Sequence, residues 1–253
     1  MNSEATETCD AFLGGRVQLY QPADGYRAGV DPVLLAAATP AQPGQTVLEL
    51  GCGAGAASLC LHARVTGLSL TGVEMQPLYA DLARRNAVLN GADMRVVDAD
   101  LRHLPSDIKA RGFDHVIANP PYYDRACSTS SLNAGRDMAL AGDTPLSDWI
   151  DVAAKRLAPK GYLTMIQKAD RLPDILTPLM ARLGSVRVRA IQPRVGRLAE
   201  LVIVQARKGG RAAFVMEPPL ILHEGERHLR DGESYTAQVL TILREGGDLP
   251  WGH

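Results

Sequence analysis

The sequence contains few of the features that mark secreted, membrane or metal-binding proteins. Only four of its 253 residues are cysteines, and no Cys-x-x-Cys pair occurs, which argues against a zinc ribbon or a disulfide framework. No apolar run approaches the roughly 18–20 residues of a membrane span. The N-terminal stretch contains acidic residues and no apolar signal core. We therefore expect a cytoplasmic protein that contacts no membrane and requires no metal.

A strong excess of one charge is also absent. The formal net charge is −1, with 46% hydrophobic and 22% charged residues, so the chain can bury a substantial core. Arginine outnumbers lysine, and arginine suits phosphate contacts and base stacking. A GC-rich genome would produce the same bias. The composition leaves the oligomeric state open between monomer and dimer.

From residue 44 onward the sequence alternates between strand and helix patterns. The predicted strands cover 46–50, 68–74, 94–100, 113–119, 161–167, 185–193 and 199–208, and helices are predicted over 56–63, 76–91 and 147–157. This alternation predicts an α/β fold with a doubly wound, mostly parallel seven-stranded sheet whose last strand is antiparallel. Ligands of such sheets bind at the carboxyl ends of the strands.

A glycine-rich turn follows the first of these strands. In the run ELGCGAG, Gly51, Gly53 and Gly55 alternate, which permits positive φ angles and lets a ligand approach the backbone. The same run formally satisfies a dinucleotide fingerprint. Glu49, however, would repel a pyrophosphate and attract an ammonium or sulfonium group. The turn therefore predicts a cofactor site at Glu49, Gly51, Gly53 and Gly55.

Two further acids follow the next two strands. Glu74 ends the second strand at the position of an acid that chelates two ribose hydroxyls. Asp100 ends the third strand and can accept a hydrogen bond from an adenine amino group, with Asp98 as the alternative. Together with Glu49 and the glycines, these acids predict S-adenosyl-L-methionine as the cofactor.

The run Asn119-Pro120-Pro121-Tyr122-Tyr123 follows the fourth strand. An exocyclic amine on an aromatic ring is a poor nucleophile, because its lone pair is delocalised. The Asn119 side-chain carbonyl and the Pro120 backbone carbonyl can each accept one N–H of such an amine and orient the lone pair. Pro121 stiffens the loop, and Tyr122 can stack on a base extruded from its stack. We predict Asn119, Pro120, Pro121 and Tyr122 as the catalytic residues, with Asn119 also beside the cofactor.

ELGCGAG followed by NPPYY resembles the Rossmann-like class I methyltransferases that modify amino nitrogens. The run from Tyr20 to Asp31 and the tail from 218 to 243 further resemble bacterial tRNA N6-adenine methyltransferases that act on adenine 37 of a valine tRNA. The resemblance covers about residues 12 to 245. It implies that residues 1–43 close over the cofactor site, that 44–210 form the methyltransferase core, and that 211–253 form a C-terminal extension.

A tRNA substrate requires basic or aromatic residues around the site, because phosphate contacts dominate affinity. The net charge is low for such an enzyme, but a local basic patch can serve instead. We predict substrate contacts for these residues: Tyr26, Arg27, Tyr123, Arg125, Arg136, Arg194 and Arg197.

Three other functions fit part of the pattern. A release factor glutamine methyltransferase uses the same Asn-Pro-Pro-Tyr logic, but such enzymes carry a separate N-terminal helical domain, and the roughly 45 residues before the first strand have a different pattern. A guanine-N2, rRNA or DNA amino-methyltransferase is the second alternative; DNA enzymes normally need a target-recognition insertion, and the sequence contains no long insertion. An RNA-binding module without catalysis is the third, and the intact motif argues against it.

Overall fold

The computed structural model describes residues 7–122, 144–225 and 234–252. The strands are β1 (Glu7–Phe12), β2 (Val17–Pro22), β3 (Thr46–Leu50), β4 (Ser69–Glu74), β5 (Met94–Asp98), β6 (Phe113–Ala118), β7 (Leu157–Lys168), β8 (Gly184–Gln192), β9 (Leu201–Arg207) and β10 (Val215–Ile221). The helices are α1 (Asp31–Ala38), α2 (Ala56–Arg64), α3 (Pro77–Leu89), α4 (Ser106–Lys109), α5 (Leu146–Arg156), α6 (Leu172–Arg182) and α7 (Ala237–Leu240). No helix in these ranges combines the length and the apolar character needed to cross a bilayer.

The central sheet has the strand order β10-β8-β9-β7-β6-β3-β4-β5. Only β9 runs antiparallel to its neighbours, and the other adjacent strands pair in parallel. The doubly wound, mostly parallel architecture is confirmed. The last of the seven predicted strands corresponds to β9, and it is antiparallel as expected. One detail was wrong: the described sheet has eight strands rather than seven, because β10 pairs in parallel with β8.

The extra strand β10 lies within the segment expected to be a C-terminal extension. It contains Pro218 and Pro219, and its pairing with β8 shifts register between Glu217 and Leu220. Proline cannot donate to a ladder, so it is confined to sheet edges and bulges. The two prolines interrupt the strand pattern, so the sequence did not predict this edge strand.

The core divides into two layers on opposite faces of the sheet. One layer contains α1, α2 and the C-terminal segment packed on strand residues such as Val47, Ile117 and Ile203. The other contains α5 and α6 packed on Leu48, Val116 and neighbouring residues. The strand side chains alternate between the two layers, as the pleat requires.

The strands β1 and β2 form an antiparallel hairpin outside the central sheet. The outer edge of β2 pairs with side-chain amides of α3 rather than with another strand. Asn86 accepts from Tyr20 N at 2.8 Å and donates to Tyr20 O at 3.0 Å. Asn90 makes the same pair of bonds to Gln18. Because Asn86 also donates to Ala54 O, the hairpin is fixed directly to the glycine-rich turn.

The C-terminal segment packs on the end of α1. Leu249 N donates to Ala37 O at 2.9 Å, and the Trp251 indole donates to Ala38 O at 2.8 Å. These bonds satisfy two of the orphan carbonyls at the end of a helix. The tail is thus part of the folded core.

Candidate functional site

The glycine-rich turn joins β3 to α2 and has the left-handed conformation that its glycines predict. Gly51, Gly53 and Gly55 have φ angles of 64°, 54° and 89°. A Cβ on Gly51 would lie 2.5 Å from the Trp149 ring, whereas one on Gly53 would meet nothing within 4 Å. Gly51 is therefore required for packing, and Gly53 leaves its backbone accessible to a ligand.

Glu74 closes the turn from the end of β4. Its carboxylate accepts from Gly53 N at 2.9 Å and from Gln76 N at 2.8 Å. Burial raises the pKa of Glu74, and the backbone donors counteract that shift. The side chain is 6% exposed and lines a cavity. A preorganised, buried acceptor in this position fits the chelation of two hydroxyl groups.

Asp100 lines the same cavity as Glu74. It caps the following 3₁₀ turn by accepting from Arg102 N at 2.9 Å and from the Arg102 guanidinium at 2.6–3.1 Å. Arg102 holds the pKa of Asp100 below its usual value. Asp98, the alternative, forms an exposed ion pair with Arg84 at 2.5 Å and does not line the cavity. The geometry favours Asp100 over Asp98.

Glu49 is buried below the turn, with 3% of its surface exposed. One carboxylate oxygen accepts from Ser58 N at 3.0 Å and from Ser58 Oγ at 2.5 Å. Burial, partly offset by Ser58, raises the pKa of Glu49 to about 8. Its other carboxylate oxygen has no hydrogen-bond partner within the described ranges. A cationic ligand would stabilise the charged form of this carboxyl group.

The Asn-Pro-Pro-Tyr motif follows β6 directly and lies beside the glycine-rich turn. Asn119 Nδ2 donates to the Tyr26 hydroxyl at 3.4 Å, so its side-chain carbonyl is left as an acceptor. The Pro120 carbonyl accepts from Gln167 Nε2 at 3.2 Å. A carbonyl has two lone pairs, so this bond fixes the Pro120 acceptor and leaves it one further position.

Tyr122 is anchored by α1. Its hydroxyl donates to Asp31 Oδ2 at 2.5 Å, and burial together with Asp31 raises the pKa of Tyr122. Asp31 is the first residue of α1, where no side chain makes a capping bond, and its carboxylate bonds the motif instead. Burial raises the pKa of Asp31.

The loop between β2 and α1 covers the turn. Tyr26 is 49% exposed, while burial of its hydroxyl, with Asp31 and Glu49 nearby, raises its pKa to about 12. Arg27 ion-pairs with Asp10 at 2.7 Å and donates to Pro22 O. Arg27 thus holds the loop in place, and its contact with a substrate stays a prediction.

The predicted arginines at the rim have different surroundings. Arg194 is held by bonds to Glu224 O and to Ser234 Oγ, the latter at 3.2 Å, whereas Arg197 is exposed. Both follow β8 at the edge of the sheet that carries the motif. The remaining candidates, Tyr123, Arg125 and Arg136, lie outside the described residues.

Two small cavities meet at the motif. One has a volume of about 70 Å³ and is lined by Glu74, Asp100 and Trp149 among others. The second has about 40 Å³ and is lined by Tyr26, Glu49 and others. Gly51 and Asn119 line both. Small-molecule sites are typically about 300–1,000 Å³, so a nucleoside-sized ligand would occupy both cavities and extend beyond them.

Sequence reasoning did not find three residues that shape this site. Gln167 supports Pro120 from the end of β7, Asp31 orients Tyr122, and Trp149 packs on Gly51. A polar residue at the end of an otherwise apolar strand is a usable signal for Gln167. The partners of Asp31 and Trp149 are distant along the chain, and no local pattern indicates them.

Comparison with known proteins agrees with this geometry. The Methyltransferase small domain family matches residues 29–194. A tRNA1(Val) (adenine(37)-N6)-methyltransferase of Porphyromonas gingivalis is 32% identical over 196 residues, which cover 72% of this chain and 75% of that protein. A release factor glutamine methyltransferase of Deinococcus radiodurans is 31% identical over 56% of this chain and 52% of that protein.

A solved structure from Agrobacterium tumefaciens, described as a predicted O-methyltransferase, superposes with a TM-score of 0.69 and 28% identity, covering 84% of this chain and 94% of that chain. The fold is that of the class I methyltransferases, which use S-adenosylmethionine. This chain belongs to the Methyltransferase small domain family and groups with relatives named tRNA1(Val) (adenine(37)-N6)-methyltransferase.

Proposed function

We propose that this methyltransferase methylates the exocyclic N6 amine of an adenine in tRNA, at position 37 of a valine tRNA. The observation that carries the proposal is the Asn119-Pro120-Pro121-Tyr122 run at the carboxyl end of β6, where Asn119 borders the same cavities as the glycine-rich turn. The named relative from Porphyromonas gingivalis supports the choice of substrate.

The residues present fit S-adenosylmethionine. Glu74 and Asp100 line one cavity, where they would hold the ribose hydroxyls and the adenine amino group. Glu49 lines the second cavity, where its carboxylate would face the positively charged end of the cofactor. When bound there, the cofactor supplies an electrophilic methyl group on a sulfonium. Asn119 borders both cavities, so the motif lies beside the reacting end.

The motif orients the nucleophile. Asn119 and Pro120 each present a carbonyl, and together they accept both N–H groups of one amine. Tyr26 fixes the Asn119 amide and Gln167 fixes the Pro120 carbonyl, so neither acceptor has to reorganise. Acceptors held in advance stabilise the transition state more than flexible ones. In this mechanism the residues orient the amine lone pair. The group that leaves the methyl would be a neutral thioether, which needs no general acid, and the methylated nitrogen would lose its extra proton to solvent.

The surroundings of the motif are suited to a flipped base. Tyr122 lies next in the chain, with its ring held at one end by Asp31, so it can form a platform for stacking. Tyr26 lines a cavity at the site, and Arg197 is exposed at the same edge of the sheet. Both would contact the flanking RNA, as would Tyr123, Arg125, Arg136 and Arg194. Arg27 would act through the loop that carries Tyr26. A tRNA substrate also implies a cytoplasmic enzyme.

In the proposed enzyme, hydrogen bonds hold the N-terminal segment beside the cofactor site. Gln21 lies at the end of the hairpin and accepts from Ala28 N at 2.7 Å. Tyr79 donates to Tyr26 O at 3.0 Å. These bonds tie the loop to both the hairpin and α3. We infer that residues 1–43 act as the cover of the cofactor site.

A glutamine side-chain amide is the second candidate substrate. The relative from Deinococcus radiodurans is named a release factor glutamine methyltransferase, and the two acceptors would orient an amide NH₂ equally well. The exposed Arg197 and the anchored Tyr122 ring favour RNA, because a glutamine side chain needs neither a stacking platform nor a phosphate contact.

The test is methyl transfer from labelled S-adenosylmethionine to bulk tRNA, followed by digestion to nucleosides. Parallel reactions contain rRNA, duplex DNA and a glutamine-bearing release factor. Label in N6-methyladenosine from tRNA is the expected result, and sequencing of the methylated tRNA then identifies the position. Label in the release factor alone would overturn the proposal in favour of the glutamine substrate.

A further inference from the structure

Another cavity lies away from the Asn-Pro-Pro-Tyr motif. It has a volume of about 760 Å³ and lies where β6, β7 and β8 begin and β9 ends, beneath α1 and the C-terminal segment. His115 of β6 lines it, and Asn119 follows four residues later, about 13 Å along the strand direction. The cavity is therefore separate from the methyl-transfer site, at the opposite edge of the sheet.

The lining of this cavity is basic. It contains four basic side chains and two carboxylates: Arg64, Lys160, Arg187 and Arg207 against Asp114 and Asp248. Arg187 forms an ion pair with the buried Glu217 at 3.1 Å, so the formal excess that remains is one positive charge. Asp114 is engaged by the Thr46 amide and hydroxyl at 2.9 and 2.8 Å. The cavity therefore favours an anion, although the protein as a whole is nearly neutral.

Two of the basic residues have unused donors. Arg207 Nε donates to the Lys160 carbonyl at 3.2 Å, and its guanidinium lies over the Tyr162 ring at 5.5 Å. The terminal nitrogens of Arg207 and the Lys160 ammonium have no hydrogen-bond partner within the described ranges. The strand register aligns His115, Tyr162 and Arg207 across three neighbouring strands, with Tyr162 between the other two.

Buried polar atoms without partners are concentrated here. Eight such side-chain atoms occur among the described residues, and three of them line this cavity: Arg64 Nε, His115 Nδ1 and Gln205 Nε2. His115 and Gln205 are only 2% and 4% exposed. Unsatisfied buried groups are rare in folded proteins and mark places where water, an ion or a ligand binds.

His115 presents an acceptor rather than a donor. Its Nε2 lies 2.9 Å from Gln45 Oε1, an oxygen that already accepts from Gln42 N. Nε2 must therefore carry the proton, and Nδ1 carries a lone pair. Burial lowers the pKa of His115 to about 4, so the ring is neutral near pH 7. A ligand hydroxyl group would satisfy Nδ1.

The backbone at the mouth of the cavity is strained. Lys160 and Ser185 have φ angles of 68° and 52°, and they are two of the three non-glycine residues in the described ranges with positive φ. Both line the cavity. Such conformations carry a steric cost and cluster at functional sites. Glycine would be the default residue at position 160, and lysine there places an ammonium at the cavity instead.

We propose that this cavity binds a sugar phosphate, free or as part of a nucleotide. The phosphate lies against Lys160 and Arg207, the Gln205 amide donates to an oxygen of the ligand, and a sugar hydroxyl donates to His115 Nδ1. The site goes beyond the methyl-transfer function and does not require it. The volume suits a ligand of mononucleotide size.

The test is calorimetric titration of the full chain with ribose 5-phosphate, repeated with adenosine 5′-monophosphate, inorganic phosphate, ribose and a short RNA. We expect one saturable site that persists when S-adenosylmethionine is saturating, because the cofactor ribose would occupy the other edge of the sheet. Displacement by S-adenosylmethionine would overturn the proposal. Absence of saturable binding by every phosphate ligand would also overturn it.

The variants identify the site. Lys160→Gly removes the ammonium and relieves the positive φ, so the variant should be at least as stable as the wild type and a loss of binding cannot reflect unfolding. It should weaken binding by about tenfold, as should Arg207→Gln. Lys109→Gln, at an exposed lysine away from the cavity, is the matched control and should bind as the wild type does. Unchanged affinity in Lys160→Gly and Arg207→Gln would contradict the assignment.

Comparison of the affinities of these ligands separates the contribution of the phosphate from that of the sugar. It also shows whether the natural ligand is a small molecule or RNA. Ribose 5-phosphate should bind more tightly than inorganic phosphate, and equal affinity would contradict the role of His115. Tighter binding of adenosine 5′-monophosphate than of ribose 5-phosphate supports a nucleotide as the natural ligand. Binding of the RNA alone, with no binding of the small phosphates, would contradict a small-molecule site.

Discussion

The two edges of the central sheet differ in whether the protein itself supplies hydrogen-bond partners for their buried polar groups. At the edge that carries the Asn-Pro-Pro-Tyr motif, the buried acids and carbonyls have donors from the protein: Glu49 from Ser58, Glu74 from Gly53 and Gln76, and Pro120 from Gln167. At the opposite edge, donors and acceptors such as Gln205 Nε2 and His115 Nδ1 are buried without partners. The acceptors named at the first edge are preorganised, although Trp149 Nε1 there is also buried without a partner among the described residues. The polar groups at the second edge need a ligand or solvent to complete their hydrogen bonds.

The cavities at the motif edge are small, and the acceptors around them are already held in place by the protein. These acceptors are held by bonds from neighbouring strands and helices, so their positions depend on the protein and not on the ligand. Preorganisation of this kind lowers the reorganisation needed at the moment of reaction. The large basic cavity lacks such support, and its contents must supply the missing hydrogen bonds.

The largest expected effect comes from removing one preorganised acceptor at the motif, since this directly tests the contrast between the two edges. Asn119→Ala should lower methyl transfer by roughly 100- to 1,000-fold, by analogy with the loss of one preorganised transition-state partner. Cofactor affinity, measured by calorimetry, should change only slightly. Asn119→Asp retains an acceptor and is the matched control, with measurable activity expected. Turnover of the alanine variant within a few-fold of the wild type would refute the role of Asn119.

The next largest effect concerns the cofactor acids. Glu74→Ala should weaken S-adenosylmethionine binding by about 30-fold, since it removes a buried acceptor for hydroxyl groups. Asp98→Ala removes an acid of similar position that ion-pairs with Arg84 and does not line the cavity. Calorimetry should give near wild-type affinity for that control. Equal weakening in both variants would point to a general electrostatic effect instead of ribose chelation.

A smaller effect is expected from removing the hydrogen bond that holds the Tyr122 ring of the motif. Tyr122→Phe keeps the ring but removes the bond to Asp31, so turnover should fall by about tenfold with little change in cofactor affinity. Asp31→Asn should have a similar effect. If the two act through their shared bond, the double variant should be no worse than either single variant. Additive losses in kcat would show that the residues act independently.

The smallest effect is a pH dependence of stability at Glu49. The folded-state pKa of about 8 lies above the usual value of about 4.3 in an unfolded chain. The folded state therefore holds a proton that the unfolded state has lost, and stability falls as pH rises from about 5 through 8. Without cofactor, Tm should fall over this range more in the wild type than in Glu49→Gln. Parallel curves for the two proteins would contradict the raised pKa.

The sequence predicted the central strands of the sheet better than α6 and the N-terminal hairpin. The bounds of β3 match the prediction at Thr46–Leu50, and β6 differs by one residue, because buried parallel strands are continuous apolar runs. The helix α6 was not predicted, since Pro173 and Pro178 interrupt its pattern. The hairpin of β1 and β2 was also missed, because its stability comes from α3 rather than from its own pattern.

The site was predictable where its residues are close together in sequence. Glycine alternation predicted positive φ, and the spacing from the turn placed Glu74 beside it, which the bond to Gly53 confirms. The partners of the motif were not predictable in this way. Asp31 and Gln167 reach it from 91 and 47 residues away. Only the packing of α1 and β7 against β6 brings them to the motif.

The pairing of Asn86 and Asn90 with β2 has a consequence for self-association. An exposed strand edge offers unpaired N–H and C=O groups to any passing strand, and proteins protect such edges from aggregation. Here the outward backbone groups of Gln18 and Tyr20 are already bonded to the two amides. The hairpin therefore offers no template along this stretch for a strand from another molecule, although it lies outside the main sheet.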